Sequence, residues 1–206
     1  METWREQTSR GPAEVELTPP AGVPSAWLAL GHGAGGGVTA PDLTAVRRAA
    51  LDAGVAVARI TQPYRVAGRR TPAPAGHLDD AWTEVISALR ADARHGLAAL
   101  PLITGGRSSG ARVACRTAVA VGAAGIVALA FPSHPPGRPE RSRDGELDTG
   151  VPTLVVNGDR DPFGVPAPSP GVTVVVRPGE GHDLRRDTAA VAAAVLDFLR
   201  SHAWVG

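Results

Sequence analysis

Apolar positions recur along the chain in two rhythms. Short runs dense in Val, Ile and Leu alternate with longer Ala/Leu/Arg stretches of helical period, and this alternation predicts helices on both faces of a mostly parallel sheet. Residues 14–17 and 4–7 read as opening strands joined by Arg10-Gly11-Pro12, and residues 26–30 as a strand running into the glycine-rich segment from His32 to Gly37. Residues 42–53 have helical spacing and stop at Gly54, after which residues 55–60 form a buried strand. The proline- and glycine-rich segment 62–76 reads as a loop. Residues 77–95 are expected to be a helix carrying Leu78, Trp82, Val85, Ile86 and Leu89 on one face, closed by Gly96.

In the second half, a strand at 100–104 gives way to a helix at 111–121, followed by a strand at 125–131. Residues 132–150 form a polar, proline-rich excursion with room for only a short helix. Strands at 152–157 and 172–176 and an amphipathic helix at 188–202 complete the chain. No insertion is large enough for a lid, so one domain, 1–206, with an open site is expected.

Composition narrows the chemistry. Hydrophobic residues make up 43% and charged residues 20%, the balance of a globular protein, and a net charge of +1 gives no reason to expect nucleic acid or an anionic membrane as a partner. There is no lysine; all 21 basic residues are arginine. A Walker-type phosphate lysine, a Schiff-base lysine and a Ser-Lys dyad are therefore excluded. Cys115 is the single cysteine, so no intrachain disulfide forms, and its place among small helical residues fits a buried space-filler. The N-terminal residues lack the apolar core of a signal peptide, and the apolar run at 118–131 is too short to span a membrane. A cytoplasmic protein of unspecified oligomeric state is expected.

Gly106-Arg107-Ser108-Ser109-Gly110 reads Gly-x-Ser-x-Gly between a predicted strand and a predicted helix. That is the setting of a nucleophile elbow, a turn that lifts one serine hydroxyl above the sheet edge. A serine needs a histidine to take its proton and a carboxylate to orient that histidine. Asp161 follows the strand at 152–157 and His182 follows the strand at 172–176, each in a glycine-containing loop. Asp159, two residues before Asp161, competes for the acid role. The early His32-Gly33-Ala34-Gly35-Gly36-Gly37 loop offers a backbone donor to a developing oxyanion, assigned to Ala34 together with Ser109; Gly33 or Gly35 could replace Ala34. The same glycines could cradle a nucleotide, but the dinucleotide spacing is absent.

His32, Tyr64, Arg107 and His134 are candidates for lining a substrate pocket. Each also has a structural reading: His32 shapes the glycine loop, His134 packs its own loop, and Arg107, like Arg59 and Arg65, pairs with a local acid. The remaining histidines, His77, His95 and His202, fall at helix ends.

The order Ser108, Asp161, His182 is that of α/β-hydrolases. With Phe131-Pro132-Ser133-His134, Gly158-Asp159-Arg160-Asp161-Pro162-Phe163-Gly164 and Gly179-Glu180-Gly181-His182, the chain resembles the small, lidless, dienelactone-hydrolase-like α/β-hydrolases. It looks closest to the branch of bacterial proteins related to the testis-expressed protein 30 group. The resemblance, from Ala26 onward, implies a sheet of seven to eight strands and the triad Ser108-Asp161-His182, and favours Asp161 over Asp159. It implies a serine hydrolase acting on a small-molecule ester, thioester or lactone, with no cofactor and no metal. It also carries an alternative, a catalytically idle interaction module or regulatory subunit, since one animal relative serves in a histone acetyltransferase complex.

Overall fold

The computed structural model describes residues 1–206. Its strands are β1 (Glu2–Glu6), β2 (Ala13–Thr18), β3 (Ala26–Gly31), β4 (Val55–Thr61), β5 (Leu102–Arg107), β6 (Gly125–Leu129), β7 (Thr153–Gly158) and β8 (Val172–Arg177). They form one eight-stranded sheet in the order β1-β2-β4-β3-β5-β6-β7-β8. β2 runs antiparallel to both β1 and β4, and every other neighbouring pair is parallel. This is the α/β-hydrolase architecture.

The helices are α1 (Pro41–Asp52), α2 (Pro63–Val66), α3 (Ala75–Ala91), α4 (Ser109–Thr117) and α5 (Thr188–Ser201). Alternation along the buried strands decides which helix covers which face. Trp27, Ala29, Ala58 and Ile60 point to the side of α3 and α4, where Trp82, Val85, Ile86 and Leu89 meet them. Leu28, Leu30, Val55 and Val57 point to the other side, against Leu43 and Val46 of α1 and Val195 and Leu199 of α5. Each large apolar side chain fully removed from water contributes about 1.5–3 kcal/mol, and both faces carry them in number.

The expected elements are present, with shifted ends. β1 starts two residues early. α2 and the first residues of α3 fall inside the segment expected to be loop, because Pro63 sets the backbone angle of a first helical turn. β5 begins later than expected and continues through Gly105 and Gly106 to Arg107, and α4 ends at Thr117. The excursion after β6 holds one turn of 3₁₀-helix, Asp144–Leu147. No helix is long and apolar enough to cross a membrane. Cys115 is buried, and burial pushes its thiol up to about 12, which keeps it an unreactive neutral group.

Candidate active site

Six loops, one after each of the strands β3 to β8, contribute residues to the site around Ser108. The sharpest turn is at Ser108, whose φ of 53° and ψ of −109° place a non-glycine residue where its Cβ is crowded. Such a conformation costs about 1–3 kcal/mol and persists only when the surroundings dictate it. Here the Ser108 N–H donates to Leu129 O at 2.9 Å, and Ser108 O accepts from the Arg112 N–H at 3.2 Å. The two glycines of the motif give the turn its space. A Cβ on Gly106 would lie 2.5 Å from Gly31 O, and one on Gly110 2.6 Å from the same carbonyl.

An unbroken hydrogen-bond line leads away from the serine. Ser108 Oγ is 2.9 Å from His182 Nε2, and His182 Nδ1 is 2.8 Å from Asp161 Oδ2. With the Nδ1 proton donated to the carboxylate, Nε2 is left as an acceptor for the serine hydroxyl. The Asp161 carboxylate is wholly shielded from solvent, and its second oxygen accepts the Phe163 N–H at 2.9 Å. Asp159 makes a different bond: its Oδ1 accepts the Gly179 N–H at 2.7 Å and fastens the neighbouring turn. Of the two competing acids, Asp161 is the one that meets His182. The Phe163 ring lies against the imidazole with centroids 4.2 Å apart, a contact that the sequence motif contained but periodicity did not single out.

Opposite the imidazole, the glycine loop after β3 approaches the serine. A Cβ on Gly33 would come within 3.6 Å of Ser108 Cβ. The Ser109 N–H is the first of α4 and has no helical partner, and the Ala34 N–H makes no backbone hydrogen bond either. His32 and Tyr64 hold this loop from behind. His32 Nδ1 donates to Gly33 O at 2.8 Å while Nε2 accepts the Gln62 N–H at 3.1 Å, and burial lowers its pKa, so the ring stays neutral in that tautomer. The Tyr64 hydroxyl donates to Ala34 O at 3.0 Å.

Residues 24–174 match the family model of the alpha/beta hydrolase domain. The chain belongs to that family. The α/β-hydrolase fold here superposes on solved structures over nearly its full length. An α/β serine hydrolase without a lid from Xanthomonas campestris has a TM-score of 0.81 at 21% identity, covering 99% of this chain and 94% of that one. An α/β serine hydrolase homologue from Coxiella burnetii gives 0.75 at 19% identity, with 98% and 97% covered. A dienelactone hydrolase from Anabaena variabilis gives 0.73 at 17% identity, with 100% and 99% covered. No curated protein sequence matches the chain.

In this α/β-hydrolase a cleft of about 290 Å³ opens at Ser108, and Ala34 and Ser109 line it too. Pro72, Ala73, Leu78, Pro132 and Phe163 form apolar walls, and Arg112, Arg116 and Arg143 line it as well. His32, Tyr64 and His134 are not among the residues that line this cleft, although Tyr64 lines an adjoining pocket that shares Ala73 and Leu78 with it. His32 and Tyr64 lie behind the glycine loop. His134 packs on Gly164, where a Cβ would collide with its ring, and its backbone N–H donates to Phe163 O at 3.1 Å. Buried Asn157 was not anticipated; it bonds Phe131 N and O and Gly164 O, joining the excursion to the Asp161 loop. Arg59 is occupied by Glu16 and Val38 O, and Arg65 reaches only Arg69 O.

Arg107 does not line the cleft either. Its Nη2 donates to His182 O at 2.9 Å, and its Nε lies 3.2 Å from Asp42 Oδ2 at the start of α1. Asp42 is fully buried, and neither of its carboxylate oxygens has an aligned hydrogen-bond donor. Burial pushes its carboxyl up to about 6, with the Arg107 guanidinium pulling the other way. Between the unfolded carboxyl value of about 4 and about 6, the folded chain holds a proton that the unfolded chain has released. Stability from this group therefore falls as pH rises through that window, by about 3 kcal/mol in all. Asp42→Asn removes the effect. Urea unfolding at pH 4, 5, 6 and 7 is expected to show the variant gaining on the wild type across the window; a constant difference contradicts it.

Proposed function

We propose that the protein is a serine hydrolase that cleaves a small ester, thioester or lactone through an acyl-enzyme on Ser108. The observation that carries this reading is the continuous line from Ser108 Oγ through His182 to Asp161, at 2.9 and 2.8 Å, in a chain of the α/β-hydrolase family. His182 Nε2 takes the Ser108 proton as Oγ attacks the substrate carbonyl. The N–H groups of Ala34 and Ser109 receive the negative oxygen of the tetrahedral intermediate, a contribution of about 10²–10³ in rate per donor. The imidazolium then protonates the leaving alkoxide, thiolate or lactone ring oxygen. A water deprotonated by His182 attacks the acyl-serine and releases the acid. Asp161 keeps its proton-free form and steadies the positive ring.

A labelled fluorophosphonate tests the reading. Wild-type protein is expected to be modified and Ser108→Ala protein not; well-folded wild-type protein that resists modification overturns the hydrolase in favour of an idle interaction module. The two acids separate in the same way. Asp161→Asn is expected to lower kcat by about 10³–10⁴, since the wrong tautomer then faces Ser108. Asp159→Asn is expected to leave kcat within about threefold and to cost about 1 kcal/mol through its turn bond. Ester turnover and urea unfolding of both variants check this, and a larger kinetic loss in Asp159→Asn reverses the assignment.

A further inference from the structure

The cleft beside Ser108 contains an imbalance of charge. Three arginines line it, and only two carboxylates answer them. Arg112 holds Glu146 through both ends of its guanidinium, at 2.9 and 2.5 Å. Arg116 holds Asp79 in the same forked manner, at 2.8 and 2.6 Å, and touches Glu146 at 3.3 Å. Arg143 has no carboxylate within ion-pair distance, and its side chain makes no hydrogen bond to the protein. It is nonetheless fixed at its base, because its backbone N–H donates to Ser133 O at 2.7 Å and the Asp144–Leu147 turn follows at once.

An arginine left unpaired on a surface is ordinary, since water solvates it. Arg143 instead lines the same cleft as the serine, half-buried and close to two other guanidinium groups. Burial, and after it the charge of Arg112, lower its pKa, and an incoming anion would oppose both. The Glu146 charge offsets part of that lowering, but its oxygens are already bonded to Arg112 and Arg116 and give Arg143 no hydrogen bond. A planar guanidinium matches a carboxylate with two parallel hydrogen bonds.

We propose that Arg143 is a specificity residue that binds a carboxylate on the substrate, so that this site selects small esters or lactones bearing a negative charge. The inference rests on the hydrolase reading above and adds to it the substrate class. Ser108 Oγ bonds to the ester carbonyl carbon, the ester C–O bond breaks, and the alkoxide leaves with the proton from His182; the carboxylate does not react and anchors the molecule on Arg143. The apolar walls at Pro132 and Phe163 would cover the chain between the two groups.

The test compares methyl valerate with monomethyl glutarate, which has a five-carbon acyl chain ending in a carboxylate, by following acid release. In the wild type the charged ester is expected to be preferred in kcat/KM by about tenfold or more, as a charge-assisted pair in a partly dry cleft allows. Arg143→Gln is expected to bring that ratio to near one, with Arg143→Lys in between. A wild-type ratio near one, or a ratio unchanged in Arg143→Gln, overturns the proposal. A second measurement does not need turnover: calorimetric binding of monomethyl glutarate to Ser108→Ala protein is expected to weaken about tenfold when Arg143→Gln is added. Equal binding by the two proteins counts against the carboxylate site. Failure of fluorophosphonate labelling, by contrast, counts against the hydrolase and leaves the binding result to be judged by itself.

Discussion

Ser108→Ala is expected to lower kcat for ester hydrolysis by about 10⁶, the scale of loss when the nucleophile of a serine triad is removed. The hydroxyl sits 2.9 Å from the only imidazole that reaches it, and no second nucleophile stands beside His182. His182→Ala is expected to cost about as much, and the double substitution scarcely more, because residues that act as one unit do not contribute additively. Steady-state kinetics with a p-nitrophenyl ester check all three. Both single variants should keep the wild-type unfolding midpoint to within a few degrees, since neither group supports the core. Activity within a hundredfold of wild type in either one breaks the triad.

Gly110→Ala is expected to damage the fold and the site together. In an ordinary helix this change would stabilise by about 1 kcal/mol. At this position the new methyl would sit 2.6 Å from the Gly31 carbonyl and 2.9 Å from His32 O, both backbone atoms that no rotamer change can move. α4 would have to retreat from β3, and overpacking of this kind costs about 3 kcal/mol. For a chain of this size that is a fall of roughly 6–12 °C in Tm. His32 leads directly into the Ala34 loop, so kcat should fall as well, by about a hundredfold if one oxyanion donor is displaced. Thermal unfolding followed by kinetics on the surviving folded fraction checks both halves, and an unchanged or raised Tm refutes the packing argument.

Periodicity made the layered α/β fold legible, because buried parallel strands and amphipathic helices leave different marks. The end of β5 was not readable. Gly105 and Gly106 resemble strand breakers, yet they lie inside the strand because a Cβ on either would strike the backbone of a neighbouring strand. The triad residues were legible as candidates from motif and order. The separation of Asp159 from Asp161 was legible only through the family resemblance, since two carboxylates two residues apart in one turn differ only in where each points.

The arginines were the least legible. Arg59, Arg65 and Arg107 stood out in sequence because they adjoin strand ends, and all three bond to the protein itself. Arg112 and Arg116, which do line the cleft, had a signal that went unused. They follow Ser108 by four and eight residues along α4, the spacing that keeps side chains on one helical face. Arg143 had no such signal, because the path of an irregular excursion is set by contacts distant in sequence.

The positive φ at Ser108 has a consequence for descent as well as for catalysis. A glycine in that place would adopt the same backbone shape without strain, so exchanging Ser108 for glycine would make the molecule more stable. Lineages of this fold released from selection for turnover would therefore drift downhill toward inactive, sturdier scaffolds. On the proposed reading, the strain at this turn is borne for the sake of the Ser108 hydroxyl.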